Sequence, residues 1–165
     1  MNNRSDVSKA MKIVGRAEKI SFPELDLVKV PAKIDTGAES SAIWASNIEE
    51  KNGELSFTLF DTPSEFYTGK PIKTRKYDEL VVVSSNGQSQ QRFRVQLLVK
   101  IKGKKVRGSF TLANRTTQVY PVLVGRKLLL GKFLVDVRTG RPLRKKERQR
   151  SQALQSLLSS GTVKR

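Results

Sequence analysis

From Phe93 to Lys100 the side chains alternate: Phe93, Val95, Leu97 and Val99 fall on one set of positions, and Arg94, Gln96, Leu98 and Lys100 on the other. A period of two, broken only at Leu98, marks a strand with one buried face and does not suit an amphipathic helix. Lys102-Gly103-Lys104 then provides a tight turn into a second run over Val106–Leu112, so the two strands fold back as a hairpin. The same pattern of short β-type runs broken by turn residues extends from Lys12 to about Leu143. It predicts strands at Lys12–Arg16, Leu27–Ile34, Glu54–Phe60, Tyr77–Ser84, Gln91–Ile101, Lys104–Ala113, Pro121–Val124 and Lys132–Val137, with a single helical turn over Arg126–Leu130. The expectation is an all-β domain, a closed or nearly closed barrel with one short helix, over residues 12–143. Residues 1–11 form a loose polar N-terminus, and 144–165 form a basic tail.

Composition narrows the chemistry. At 165 residues the chain suits one domain plus tails. It has no run of 18 apolar residues, so no membrane span is expected, and Met1-Asn2-Asn3-Arg4-Ser5-Asp6 lacks the apolar centre of a signal peptide. A cytoplasmic location is the default expectation. The chain contains neither Cys nor His. Zinc is held mainly by those two residue types, and Ser-His-Asp and Cys-His mechanisms need the imidazole. Carboxylates, lysine bases and hard oxygen-ligated metals remain.

The 32 Lys and Arg outnumber the 15 Asp and Glu, giving a net charge of +17. Such a field attracts polyanions: nucleic acid, ribosome, anionic lipid or acidic peptide. Residues 141–165 carry eight of the basic side chains and one acidic one. Arg144, Lys145, Lys146, Arg148 and Arg150 are the densest group and the candidate contacts to nucleic acid or the ribosome. A solvated, disordered tail is the plainer alternative. Leu154, Leu157 and Leu158 have the i, i+3, i+4 spacing of a short amphipathic helix.

The chemical centre is Lys33-Ile34-Asp35-Thr36-Gly37-Ala38, answered downstream by Pro121-Val122-Leu123-Val124-Gly125-Arg126. A carboxylate on a tight glycine turn with a second apolar-apolar-Gly segment is what half of an aspartic peptidase site requires. Taken alone, Asp35 reads equally as a turn residue satisfied by its own backbone. Asp136, at the end of a predicted strand, is read as structural, with a second acid of the same chain as the outlying alternative.

These residues resemble the retropepsin-type aspartic peptidases, and in detail the bacterial family named ATP-dependent zinc proteases, which shares that fold. The resemblance rests on Asp35-Thr36-Gly37-Ala38 with Ser41-Ala42, Ser84-Ser85-Asn86-Gly87, Leu112-Ala113-Asn114-Arg115, Pro121–Arg126 and Phe133-Leu134-Val135-Asp136. It covers about Lys12 to Leu143. Trp44 stands where that family usually carries a His. Neither a zinc ligand set nor the Gly-x-x-x-x-Gly-Lys-Ser/Thr loop of an ATP site is present, so no cofactor and no metal ligand is expected.

The resemblance implies a catalytic Asp35 supported by Thr36 and Gly37, with Ala38, Glu39, Gly125 and Arg126 bracing the turn through an Arg126–Glu39 ion pair. It places a flap at Ser84, Ser85, Asn86, Gly87 and Gln88; Asn-Gly is also simply a strong hairpin-turn dipeptide. Trp44 and Arg115 are candidate substrate contacts, with a core role for Trp44 and a solvated or anion-anchoring role for Arg115 as the alternatives. One tetrad supplies one carboxylate, so a two-fold homodimer is the simplest source of the second. The leading expectation is a homodimeric aspartic endopeptidase acting on peptides or proteins, acidic or glutamate-rich ones in particular, since such families accompany glutamate-adding enzymes. The rival is a non-catalytic module of the same fold that binds a polyanion through its basic surface and tail.

Overall fold

The computed structural model describes residues 11–83 and 87–160. Among these residues eleven strands appear in chain order: β1 (Lys12–Val14), β2 (Ala17–Phe22), β3 (Leu27–Ile34), β4 (Ser41–Lys51), β5 (Glu54–Leu59), β6 (Pro71–Thr74), β7 (Asp78–Val83), β8 (Ser89–Ile101), β9 (Lys104–Ala113), β10 (Val122–Val124) and β11 (Phe133–Val135). A 3₁₀ turn over Pro23–Leu25 joins β2 to β3; α1 (Arg126–Leu129) follows β10 and α2 (Arg144–Ser159) follows the last strand.

The main sheet runs β10–β3–β2–β8–β9–β4, and β10 also pairs with β4, which closes the ring into a barrel. Closure leaves no free edge within that ring. Alternation fills the interior: Ile20 and Phe22 of β2, Val99 and Ile101 of β8, Phe110 of β9, and Val122 and Val124 of β10 are all fully buried. Phe22 meets Phe110 edge-on at 5.7 Å between ring centroids, the geometry that aromatic quadrupoles favour. At the β8–β9 turn Lys102 and Gly103 have φ of 49° and 80°, the two positive values a type I′ hairpin requires.

β5 and β6 extend β4 as a side sheet, and β7 lies outside the ring on β8, ending at the Val83–Ser89 pair. Strands β1 and β11 form a separate parallel pair, with Ile13 and Leu134 exposed upon it.

Three strands have no counterpart in the expected list. β2, β4 and β6 carry Ala-Glu-Lys, Ser-Ala and Pro-Ile-Lys-Thr stretches that offer little apolar alternation. Their state is set by partners: β4 pairs with β9 on one side, and with β10 and then β5 along the other.

Residues 144–159 are helical, and the helix is tied to the barrel through Glu147. Arg16 Nη1 and Nη2 donate to the two Glu147 carboxylate oxygens at 3.0 and 2.9 Å. The Tyr120 hydroxyl donates to Oε1 at 2.6 Å and accepts the Leu143 N–H at 2.8 Å. The bond to Arg16 is the main influence holding the Glu147 carboxyl below its usual range, and burial and then the Glu147 bond push the Tyr120 phenol up. A carboxylate in a paired, part-buried, charge-assisted site of this kind contributes on the order of 1–2 kcal/mol.

Replacing Glu147 with Gln is therefore expected to lower the melting temperature by roughly 2–6 °C at neutral pH, read by thermal denaturation. Because the folded carboxyl is the more acidic, its contribution is full above the unfolded value of about 4.3 and fades as pH falls through the folded value. The wild-type and variant melting curves should therefore converge in acid.

Candidate functional site

β3 ends at Ile34 and delivers Asp35 into a tight turn. The Asp35 carboxylate Oδ1 accepts the backbone N–H groups of Gly37 at 3.0 Å and Ala38 at 3.2 Å. The Asp35 N–H donates to the Val124 carbonyl of β10 at 2.9 Å. The residue is half-buried. Among the described residues no second carboxyl group is hydrogen-bonded to it. Thr36 and Gly37 are exposed beside it.

The second segment braces this turn from behind. Arg126 N–H donates to the Ala38 carbonyl at 2.8 Å, Lys127 N–H to the Glu39 carbonyl at 3.1 Å, and the buried Gly125 N–H to the Ser41 hydroxyl at 3.0 Å. A Cβ at Gly125 would lie 2.6 Å from the Ser40 carbonyl carbon and oxygen, so glycine is required there by proximity, not by dihedral angle. At Gly37 the same Cβ would come no nearer than 3.3 Å, to Asp35 Oδ1.

The expected Arg126–Glu39 ion pair is not formed. Lys127 Nζ pairs with Glu39 at 2.9 Å, and Arg126 Nη1 donates instead to the Gly37 carbonyl at 3.3 Å. Adjacent helical residues point about 100° apart; Lys127 makes the close contact with Glu39, and Arg126 acts on it only at longer range. The Lys127 bond is also the main reason the Glu39 carboxyl lies below its usual range. Arg126 still braces the turn, through its backbone.

Arg115 stands in the loop between β9 and β10, half-buried, with Nε donating to the Tyr120 carbonyl at 3.0 Å. Burial is the main influence depressing its guanidinium pKa; Arg150 and Arg92 depress it further, and Asp35 acts in the opposite sense. Arg115 is thus the side chain within electrostatic reach of Arg150 on α2, Arg92 on β8 and the Asp35 carboxylate. Arg150, read from sequence as a tail contact, is engaged with the Thr117 carbonyl of this same loop. Arg144, Lys145, Lys146 and Arg148 are exposed on α2.

Trp44 is buried, edge-on to Phe60 at 6.4 Å, and also forms one wall of a cavity of about 320 Å³ with Pro31, Phe66, Pro121 and Lys146. Core and pocket are therefore not exclusive for this side chain. Asp136 binds Arg138 through both carboxylate oxygens, in keeping with a structural role. Of the flap residues, Ser84, Ser85 and Asn86 lie outside the described residues; Gly87, at φ 80°, and Gln88 follow the β7 strand that leads to them. Among the described residues no group of three or more Asp or Glu is placed to hold a metal ion.

Sequence reasoning missed Arg92, Lys127 and the Glu147–Arg16–Tyr120 cluster. Lys127 follows directly after Arg126 and was legible as an alternative. Arg16 and Glu147 are 131 positions apart, and no local pattern joins them.

A family model described as "RimB-like: Retropepsin-like aspartic endopeptidase RimB" matches residues 13–147. Two curated relatives, each called "Probable alpha-L-glutamate ligase", come from Desulfotalea psychrophila and Shewanella pealeana. The first is 30% identical over 131 residues, covering 77% of this chain and 28% of that protein. The second is 31% identical over 128 residues, covering 75% and 28%. The chain thus spans little more than a quarter of the length of these relatives. Among solved structures, a Legionella pneumophila protein of unknown function superposes with a TM-score of 0.63 at 28% identity, covering 78% of this chain and 95% of that one.

Substituting Ala for Gly125 should lower the melting temperature by several degrees, because the added methyl meets backbone that cannot rotate away. Substituting Ala for Gly37 should cost much less, and the contrast between the two melting curves is the test.

Proposed function

This chain belongs to the RimB-like family of retropepsin-like aspartic endopeptidases, and on that premise we propose that it hydrolyses peptide bonds as a homodimer, each protomer contributing Asp35. The observation that carries the reading is the Asp35 turn, in which two backbone N–H groups fix one carboxylate oxygen while β10 and α1 hold the turn rigid. Two such carboxyl groups about 3 Å apart on a two-fold axis cannot both ionise, so the pair retains one proton. The ionised member takes a proton from water as the water oxygen attacks the scissile carbonyl. The protonated member hydrogen-bonds the carbonyl oxygen as it becomes tetrahedral. Collapse of that intermediate protonates the departing amine and restores the shared proton, so the titration belongs to the pair.

The exposed Ile13 and Leu134 on the β1–β11 pair offer apolar surface for a second copy. A glutamate-bearing peptide is the favoured substrate class. Two features support it: the relatives are named as glutamate ligases, and Arg115, itself within reach of Arg150 and Arg92, lies within electrostatic reach of Asp35. A carboxylate side chain of the peptide would offset positive charge that the chain itself leaves near the turn.

Changing Asp35 to Asn should reduce cleavage of a glutamate-rich peptide by at least about a thousandfold without lowering the melting temperature. Retained cleavage, or activity from a species that sediments as a monomer, rules the shared-acid mechanism out. Changing Arg115 to Gln should raise KM for the glutamate-rich peptide about tenfold while KM for a neutral peptide stays within about twofold.

A further inference from the structure

A second concentration of positive charge lies away from the catalytic turn, where β2, β3 and β8 meet the Lys102–Gly103 hairpin. Alternation creates it. On β2, Ile20 and Phe22 go inward and Lys19 and Ser21 outward; on β8, Val99 and Ile101 go inward and Lys100 outward, with Lys102 exposed in the turn. Ser21 sits directly opposite Lys100 in the ladder. Lys29 joins them at the irregularity where the β2–β3 register shifts, held at a φ of 55°. The Arg141 N–H donates to the Ala17 carbonyl at 2.6 Å, which brings the segment before α2 onto the same face.

These residues surround a hollow of about 300 Å³, and five of the eight residues lining it are Lys or Arg. Its one carboxylate, Glu18, is buried and engaged by the Gly15 N–H at 2.7 Å and by Lys102 Nζ at 3.6 Å. Among the described residues no carboxylate pairs with Lys19, Lys29, Lys100 or Arg141. Their charge faces outward from rigid strands. Lys29 precedes Asp35 by six positions along β3, about 20 Å of strand, which separates this hollow from the cleavage site.

The chemistry of the lining selects the ligand. Among the described residues lining the hollow there is no aromatic side chain to stack on bases and no helix to enter a deep groove. What remains is an array of cations with neutral donors, the Ser21 hydroxyl and the turn backbone. Such a surface suits the shallow A-form minor groove, where phosphates and 2′-hydroxyls are displayed. We propose that the hollow around Lys19, Lys29, Lys100 and Arg141 is a docking surface for the sugar–phosphate backbone of duplex RNA, distinct from the peptidase cleft.

The test measures fluorescence anisotropy of a labelled RNA duplex of about 16 base pairs against the full chain, between about 50 and 200 mM salt. A triple variant, Lys19→Gln, Lys29→Gln and Lys100→Gln, should weaken binding at least about tenfold at the lower salt and reduce the salt slope by about two to three. A charge-matched control on and around β6, Lys70→Gln, Lys73→Gln and Lys76→Gln, should lose less than about threefold. Thermal melts establish that both triples are folded. Asp35→Asn should leave RNA affinity unchanged, so this proposal and the peptidase reading fail separately. Equal loss in the two triples, equal affinity for a DNA duplex of the same length, or no RNA binding at all overturns it. Lysine-dependent binding of polyglutamate in place of RNA assigns the surface to an acidic protein and overturns it as well.

Discussion

Barrel closure runs through three residues. β10 is only Val122–Val124, yet it lies parallel to β3 and antiparallel to β4 at once, and its two valines are fully buried. The strand that completes the ring also carries the Val124 carbonyl that accepts the Asp35 N–H, and it leads directly into Gly125 and Arg126, which hold the same turn. Stability and the geometry of the Asp35 carboxylate are therefore one problem. A change that opened the β10 seam would expose the core and release Asp35 together.

Gly125 shows how narrow that coupling is. Its backbone is extended, at a φ of −91°, so any residue could adopt it. The constraint is the Ser40 backbone 2.6 Å from where a Cβ would be. Close approach lets the Gly125 N–H reach the Ser41 hydroxyl and lets the Arg126 and Lys127 N–H groups reach carbonyls at Ala38 and Glu39. Three bonds from one short segment fix the turn with little dependence on side-chain charge. That explains why the loss of the expected Arg126–Glu39 pair leaves the brace intact: Glu39 and Lys127 are both well exposed, where an ion pair contributes little.

Positive charge has three separate settings in this fold. Around Arg115 it is half-buried beside the Tyr120 carbonyl, at the Lys102 hairpin it lines an outer hollow, and on α2 it is spread along an exposed helix. Within α2 the roles divide again. Arg150 joins the Arg115 loop, while Arg144, Lys145 and Arg148 remain on the surface. Net charge alone could not make these distinctions, because it carries no information about which side chains share a face.

The sequence by itself determined the β architecture wherever alternation was strong. β3 and β9 begin and end where the pattern places them, and the Lys102–Gly103 turn has the two positive φ values its residues favour. It also identified the Asp35 turn and the Gly125 segment as partners, since a carboxylate on a glycine turn and an apolar-apolar-Gly run are local patterns. Tertiary structure alone decided that β2, β4 and β6 are strands, that Lys127 and not Arg126 faces Glu39, and that Glu147 ties the C-terminal helix to Arg16 and Tyr120. The physical reason is range. Alternation and turn preference act over a few residues, whereas strand pairing, ion-pair choice and helix docking depend on which distant groups the closed barrel brings within hydrogen-bonding distance.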